Sequence, residues 1–296
     1  GLRSVTSEVA GSLGSWGGSR LSLKGIKQYG PHTIELIAKT QKKKNLDLSN
    51  LPELSPEMAR AIQIWDRGMV SLDGLKSLDV KTARIMATWK TTTISLGGLT
   101  SIDPRVAQQL IRWRGKSLRL GNLKTMSVSV ARTVARWRGE HLQLNGISMF
   151  NTENLAALMR WRGRALELGG MTRVPYELAE IFATFRGSGI KSVIVLDNVT
   201  DFSKQSAEVL AEWRGKGYLE VRMPAIPPKQ ATSLSKGSYW KDSSVKLIVK
   251  AEKAAKPMRV DLKSYKEEKK QRQRAEVMEE EDKLLNALEA FIEAED

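Results

Sequence analysis

The side chains that most often carry out catalysis are scarce in this sequence of 296 residues. Cysteine is absent and only two histidines occur, His32 and His141, which excludes thiolate metal sites, disulfide frameworks and His-rich metal sites. His32 lies in Pro-His-Thr-Ile-Glu rather than in a His-Glu-x-x-His motif, and no phosphate-binding glycine motif separates a strand from a helix. We therefore expect no catalytic residues, no metal site, no cofactor and no enzymatic activity.

Arginine is the residue whose spacing points to a chemistry. It follows a Trp or Phe and precedes a Gly at intervals of 24 to 28 residues. A row of guanidinium groups would form an anion ridge that attracts polyanions. Each arginine would also suit a helix C-terminus, a stack on the preceding aromatic ring or a surface ion pair. The candidate anion ridge consists of Arg114, Arg138, Arg162, Arg186 and Arg214.

Charge is segregated along the chain, which has a formal net charge of +15. Residues 1–228 carry 33 basic and 19 acidic residues, and residues 229–274 carry 14 basic and 5 acidic residues. Residues 275–296 carry 1 basic and 9 acidic residues. This asymmetry bears on the partners of the chain rather than on its fold.

A short apolar pattern, Leu-x-Leu or a close variant, recurs nine times at intervals of 24 to 28 residues. A regular repeat of this length indicates a repeat architecture. Alternation of apolar residues with a period of two predicts a short strand at each copy. The copies begin at Leu21, Leu46, Val70, Ile94, Leu118, Leu142, Leu166, Ile194 and Leu219.

A helix of about two to three turns is predicted between consecutive strands. Ser, Asp or Asn marks its N-terminus, as at Ser55 and Asp79, where a side-chain oxygen would cap backbone N–H groups. A small residue, a larger apolar residue and an aromatic residue follow at spacings that place them on one helical stripe. Glycine after each arginine predicts a left-handed helix C-cap. We expect the aromatic column to be core: Trp16, Trp65, Trp89, Trp113, Trp137, Trp161, Phe185 and Trp213.

Strands that alternate with helices predict an α/β fold with parallel strands and right-handed crossovers. Helices about 10 Å wide cannot stack at a strand spacing of about 4.8 Å without splaying. The expected fold is therefore a right-handed curved solenoid of nine β-α repeats, with the strands on the concave face. The middle residue of each strand would point to that face. The candidate concave binding surface consists of Ser71, Ser95, Arg119, Gln143, Glu167 and Val195.

The nine copies over residues 2–223 resemble the leucine-rich-repeat superfamily, in particular its short bacterial arrays with about 24 residues per repeat. The pattern departs from the usual one where the family has an Asn, because apolar residues such as Leu75 and Leu123 stand there. The resemblance implies a non-enzymatic scaffold that binds another macromolecule, above all protein, through its curved surface. The alternative is a basic solenoid that binds a polyanion, either nucleic acid or anionic polysaccharide.

Three regions are predicted from composition. Residues 1–223 form the array, which opens in mid-repeat and is interpreted as N-terminally truncated. Residues 224–262 are a linker rich in Pro, Ser and Lys with short candidate strands such as Leu247–Val249. Residues 263–296 have the composition of a charged helical tail.

The ends of the array give two further expectations. Prolines at 224, 227 and 228 follow the last predicted strand, which would make that strand the edge of the sheet. The acidic segment 275–296 has two interpretations: a solvated tail, as charge runs usually are, or a segment that docks intramolecularly on the Arg162–Arg214 part of the anion ridge. No apolar run approaches the roughly 20 residues of a membrane span, and no signal peptide is visible, so the compartment stays open.

Overall fold

Short strands and helices alternate along the chain, as the repeat predicts. The computed structural model describes residues 9, 12, 20–22, 30–40, 45–65, 68–185, 187–188, 192–211, 217–223 and 245–249, and the statements below concern these residues. The strands are β1 (Arg20–Ser22), β2 (Asn45–Asp47), β3 (Met69–Ser71), β4 (Thr93–Ser95), β5 (Ser117–Arg119), β6 (His141–Gln143), β7 (Ala165–Glu167), β8 (Arg173–Val174), β9 (Ser192–Leu196), β10 (Asp201–Phe202), β11 (Gly217–Met223) and β12 (Val245–Val249).

Within the described residues, ten strands form one parallel sheet in the order β1-β2-β3-β4-β5-β6-β7-β9-β11-β12. The central apolar residues are in register, so that Leu118 lies opposite Ile94 on one side and Leu142 on the other. A second, two-stranded parallel sheet pairs β8 with β10. A parallel sheet that alternates with helices is an α/β architecture, and this one is consistent with a curved solenoid.

The helices form a second layer in which each one contacts the next. Most have seven residues, about two turns, so their stability comes from tertiary packing rather than from intrinsic propensity. The small residue of the repeat lies fully inside this layer, for example Ala83 and Ala131. The helices are α1 (Pro31–Thr40), α2 (Pro56–Ile62), α3 (Val80–Met86), α4 (Pro104–Leu110), α5 (Val128–Val134), α6 (Thr152–Leu158), α7 (Tyr176–Phe182) and α8 (Lys204–Ala211).

The predicted N-caps are confirmed. Asp79 Oδ1 accepts a hydrogen bond from the Thr82 backbone N–H at 2.9 Å, and the Thr82 hydroxyl donates to the other carboxylate oxygen. Each such bond satisfies a backbone donor that has no partner within its own helix. The same arrangement begins helices α2 to α6 at Ser55, Asp79, Asp103, Ser127 and Asn151.

The N-cap at Asp79 gives a measurable prediction. We expect Asp79→Ala to lower the free energy of unfolding by about 1 kcal/mol, because it leaves the Thr82 N–H without its acceptor. Partial burial alone would raise the pKa of Asp79, but the hydrogen bonds from Thr82 and from the backbone N–H groups of Lys81 and Asp79 together hold the pKa below its ordinary value. The folded state therefore has the lower pKa, and its carboxylate stabilises the fold above the unfolded pKa.

This contribution should be lost as the pH falls through the folded pKa of Asp79. Urea unfolding of the native chain, Asp79→Ala and Asp79→Asn at neutral and acidic pH tests this. Asparagine keeps a capping oxygen but cannot ionise, so it should remove only the pH-dependent part of the difference. Identical pH profiles for the native chain and Asp79→Asn would contradict the prediction.

Within the described residues the aromatic column is buried, as predicted, but it does not lie on the helices; Trp16 and Trp213 lie outside those residues. Helix α5 ends at Val134, and Trp137 comes three residues later, in the connection that returns to the sheet. Its indole ring stacks on Trp113 at 5.9 Å and on Trp161 at 6.2 Å between ring centroids. The helical stripe thus ends one turn earlier than its spacing suggested. The buried aromatic residues are Trp65, Trp89, Trp113, Trp137, Trp161 and Phe185.

Indole N–H groups tie the repeats together. Trp137 Nε1 donates to the backbone carbonyl of Trp113 at 3.1 Å, and Trp161 Nε1 donates to that of Trp137 at 3.1 Å. Trp89 makes a similar bond to the preceding repeat, where Nε1 donates to the carbonyl of Ala59 in helix α2 at 2.9 Å. A buried N–H without an acceptor is costly, so these bonds help to fix each ring against its neighbour.

The glycines that follow the arginines have a different role from the predicted left-handed cap. Positive φ occurs at Gly187 and Gly68, but not at Gly115, Gly139 or Gly163. Gly187 is not a helix C-cap, because the C-cap residue of α7 is Ala183, and Gly215 lies outside the described residues. A Cβ atom on Gly139 would lie 2.0 Å from Cζ2 of the Trp137 ring. Glycine is needed there because the indole ring covers its Cα, and not because of its backbone angle.

In the turn after each strand, a second column of glycines lies close to backbone carbonyl oxygens of the preceding repeat. A Cβ atom on Gly98 would lie 2.4 Å from the carbonyl oxygen of Asp73, and one on Gly170 would lie 2.4 Å from that of Asn145. Stacked turns therefore exclude side chains at these positions. The next residue of each turn is apolar and buried, as at Leu75 and Leu123.

The expectation that the last repeat strand is the edge of the sheet is wrong. Strand β12 pairs in parallel with β11, with Leu247 opposite Val221. A strand at 245–249 agrees with the short candidate strand placed at Leu247–Val249, and it moves the edge one strand further along the chain. The prolines at 224, 227 and 228 lie outside the described residues, as does the tail at 263–296.

Candidate functional site

Alternation along each strand separates a buried face from an open one. The two apolar residues of the Leu-x-Leu pattern, such as Leu142 and Leu144, are buried against the helical layer. The residue between them points to the opposite side of the sheet. We call this side the open sheet face, and its central row is Asp47, Ser71, Ser95, Arg119, Gln143, Glu167 and Val195.

Two candidate surface residues, Ser71 and Ser95, are occupied by contacts within the sheet. Both are buried, with 4% and 6% of their surface exposed. The Ser71 hydroxyl donates to Asp73 Oδ2 at 2.8 Å and the Ser95 hydroxyl to Asp73 Oδ1 at 2.5 Å. The Gly97 N–H donates to the same oxygen at 2.7 Å. Asp73 therefore connects neighbouring repeats, and these two serines offer little free hydrogen-bonding capacity.

The next candidates form an accessible polar patch. Arg119 is exposed, and its Nη1 lies 3.9 Å from the sulfur of Met69 two strands away, so the guanidinium lies across β4. Gln143 Nε2 donates to Glu167 Oε2 at 2.7 Å. Asn145 lies beside this pair and accepts the Gly169 N–H at 2.8 Å. These contacts hold the carboxylate and amide in place before any partner binds.

The open sheet face also contains His141, which was not among the candidate binding residues. His141 begins β6, lies in register with Ser117 and Ala165, and is exposed. Because it stands two residues before Gln143 in a strand, it shares the same face. The alternation of the strand was the signal that could have identified it.

The open sheet face becomes more apolar towards β9. Val193 and Val195 alternate with the buried residues of β9 and are half-buried. They lie opposite Ala165 and Glu167 of β7. A small apolar area therefore borders the polar patch, a combination found at many protein-binding surfaces.

The anion ridge is only partly within the described residues. Arg114, Arg138 and Arg162 are exposed, whereas Arg186 and Arg214 lie outside the described residues. The exposed arginines belong to a broader feature, the basic rim, which runs along the edge of the sheet where β5, β6 and β7 begin. Its charged residues are Arg112, Arg114, Lys116, Arg136, Arg138, Glu140, Arg160, Arg162 and Arg164.

Glu140 is the one carboxylate of the basic rim. It lies 3.1 Å from Lys116 Nζ and 3.5 Å from Arg164 Nη1. The hydrogen bond from Lys116 is the main cause that lowers the pKa of Glu140 below its ordinary value, and the positive charges of Lys116 and Arg164 add to it. Glu140 is therefore ionised at neutral pH and offsets a small part of the positive charge of the rim.

Other kinds of site were also sought in the described part of the chain. No group of three or more His, Cys, Asp or Glu side chains there is arranged to hold a metal ion. No helix in the same residues combines the length and apolar character that crossing a bilayer requires.

Comparison with known proteins gives similarity to solved structures but to no protein family. No protein-family model matches the chain, and no curated protein matches it. Among solved structures, an internalin from Listeria monocytogenes is similar over 80% of this chain and 67% of that chain, with 13% sequence identity and a TM-score of 0.43. At this level the family of the chain is not shown, so the proposals below rest on its own surfaces.

Proposed function

We propose that the chain is a non-enzymatic repeat scaffold that binds a partner protein through the open sheet face. The observation that carries the proposal is the accessible patch formed by exposed Arg119 and His141 and half-buried Gln143 and Glu167, next to Val193 and Val195. It presents a cation, an amide, a carboxylate and an apolar area on adjacent strands. Such mixed chemistry, prearranged by the Gln143–Glu167 hydrogen bond, suits a protein surface.

The same patch argues against a polyanion as the ligand of this face. Glu167 lies near its centre, and its negative charge would repel a uniformly anionic chain. Repeat proteins commonly bind along the broad surface formed by successive repeats. The open sheet face supplies such a surface, since at least the strands β5, β6, β7 and β9 contribute exposed or half-buried residues to it.

Finer features belong to the same proposal. We propose that residues 1–223 form a right-handed solenoid of nine leucine-rich-repeat-like units with the open sheet face on its concave side. The segments 224–262 and 263–296 would be a linker and a helical tail.

Docking of the acidic segment 275–296 on the arginine ridge is tested by deleting this segment and measuring the affinity of the chain for DNA at low salt. Unchanged affinity would contradict docking.

A charge-swapped variant tests the open sheet face. Arg119→Glu combined with Glu167→Arg keeps the net charge but reverses the local pattern, so we expect at least about a tenfold loss of the partner proteins retained from native lysate. Both side chains are accessible, so the melting temperature should change little. Quantitative mass spectrometry of the retained proteins is the measurement.

The matched control reverses a pair on the helical layer. Arg132→Glu combined with Glu153→Arg makes the same charge changes at exposed positions of α5 and α6. It should retain the same partners as the native chain. Loss of the partners in the helical control, with retention in the open-face variant, would overturn the proposal.

A further inference from the structure

The basic rim is a second surface that borders the open sheet face, since Glu140 of the rim directly precedes His141, and its composition is unusual. The five residues before β5, β6 and β7 read Arg-Trp-Arg-Gly-Lys, Arg-Trp-Arg-Gly-Glu and Arg-Trp-Arg-Gly-Arg. All eight cations of these segments are exposed, and the Trp between each pair of arginines is buried. The core therefore fixes the backbone of the rim and leaves its charged side chains in solvent.

The rim repeats with a regular step. Successive Trp rings are stacked at 5.9 and 6.2 Å, with interplanar angles of 8° and 5°. The flanking arginines therefore advance by about the same distance per repeat. Among the described residues, the ion pairs of the rim all involve Glu140. Arg114, Arg138 and Arg162 carry like charges side by side, which disfavours the unliganded rim and favours an anion along it.

We propose that the basic rim binds the phosphate backbone of nucleic acid without reading its bases. One strand of a duplex carries a phosphate about every 3.4 Å of helix axis, so a step of about 6 Å along that axis passes roughly two phosphates. Each repeat of the rim offers two arginines, and two of the three repeats add a third cation. The charge density of the protein edge thus resembles that of one phosphate strand.

The identity of the cations favours phosphate as well. Seven of the eight are arginine, whose planar guanidinium donates paired hydrogen bonds to phosphate oxygens. A linear ligand also suits a rim that repeats in one direction, because each added repeat extends the same row of contacts. Arginine at a helix C-terminus is favourable in itself, but this accounts for one arginine per repeat and not for two.

Base recognition is not expected at this surface. Binding of single strands usually depends on exposed aromatic side chains that stack on the bases. In the described repeats the Trp side chains next to the rim are buried, and those of Trp137 and Trp161 donate their N–H groups to backbone carbonyls. Binding should therefore be insensitive to sequence and strongly dependent on salt.

Glu140 would limit the affinity of the basic rim for nucleic acid. It stands where the neighbouring repeats carry Lys116 and Arg164, and it holds both of them in ion pairs. Its lowered pKa keeps its negative charge at neutral pH. Replacing it with glutamine removes the repulsion and frees two cations, so DNA should bind about two- to fivefold more tightly, the range of an exposed charge interaction.

Fluorescence anisotropy of the full chain with a labelled duplex of about 20 base pairs, between about 50 and 200 mM salt, tests the proposal. The triple variant Arg114→Gln, Arg138→Gln and Arg162→Gln should bind at least about tenfold more weakly. The slope of log K against log salt should fall by about 2.7, which is about 0.9 for each lost phosphate contact. Circular dichroism and the melting temperature confirm that each variant is folded.

The matched control removes three exposed arginines from the helical layer, Arg84→Gln, Arg105→Gln and Arg132→Gln. An equal loss in this control would overturn the proposal, because net charge alone would then explain binding. Absence of DNA binding at low salt, an unchanged salt slope, or binding of heparin without DNA would also overturn it. The open-face swap of Arg119 and Glu167 should leave DNA binding intact, which keeps the two proposals separable.

Discussion

Trp137→Ala is expected to lower the free energy of unfolding by about 3–5 kcal/mol, the usual cost of truncating a buried tryptophan. Its side chain is 2% exposed and is stacked between Trp113 and Trp161. Truncation would leave a cavity between the two remaining rings. It would also leave the buried carbonyl of Trp113 without the N–H that Trp137 donates at 3.1 Å.

The effect should spread beyond one repeat. Each repeat of a solenoid is stabilised mainly by its neighbours, so a defect in a middle repeat weakens the coupling between the two halves. Chemical unfolding should therefore show a lower midpoint and a broader transition than in the native chain. The broadening distinguishes loss of coupling between repeats from a uniform loss of stability.

Met149→Ala is the control for Trp137→Ala. Met149 is a large apolar side chain that is 74% exposed, so its truncation should change the stability by no more than about 0.5 kcal/mol. A loss below about 1 kcal/mol for Trp137→Ala, together with abolished ligand binding, would contradict the core role. It would place the aromatic column in a binding surface instead.

Features encoded within one repeat were predictable from sequence. The N-cap at Ser55 or Asp79 depends on a side chain and a backbone N–H three residues away. Strand β5 (Ser117–Arg119) was indicated by alternation over the three residues from Leu118 to Leu120, and its buried and exposed sides followed directly. Local chemistry of this kind recurs in every copy, which is why the α/β alternation and the parallel order of the strands could be predicted.

Features that depend on contact between repeats were not predictable in the same way. The spacing placed Trp137 on the helical stripe, because six residues after Ala131 is compatible with a helix. The helix ends at Val134 instead, and the ring is positioned by Trp113 and Trp161 in the neighbouring repeats. Likewise, Ser71 and Ser95 read as surface residues until the carboxylate of Asp73 is seen to bind both.

The candidate surfaces also combine features encoded within one repeat with features that depend on contact between repeats. The arginine row could be read from its spacing, since Arg114, Arg138 and Arg162 recur at 24-residue intervals. The role of Glu140 could not be predicted from spacing, because it depends on the cations that lie on either side of it in space. Its one sequence signal is that Glu replaces Lys or Arg in the otherwise constant Arg-Trp-Arg-Gly pattern.

Gly139→Ala is expected to lower the free energy of unfolding by about 2–4 kcal/mol, at or above the usual range for overpacking a core. The new Cβ atom would lie 2.0 Å from Cζ2 of Trp137 and 2.1 Å from Cη2. The ring cannot move aside easily, because it is stacked on both faces. Gly121→Ala is the matched control, since a Cβ atom there meets nothing within 4 Å.

Two further variants distinguish ring contact from a backbone requirement. Asparagine tolerates the left-handed conformation, so Gly139→Asn would be mild if the glycine were a left-handed cap, but it should be as harmful as alanine if the ring excludes any side chain. In a Trp137→Ala background the obstructing ring is gone, so Gly139→Ala should cost little. The double-mutant cycle should then give a coupling energy of about 2 kcal/mol or more between the two positions. Additive losses would show that Gly139 is needed for its own backbone conformation and not for the ring that covers it.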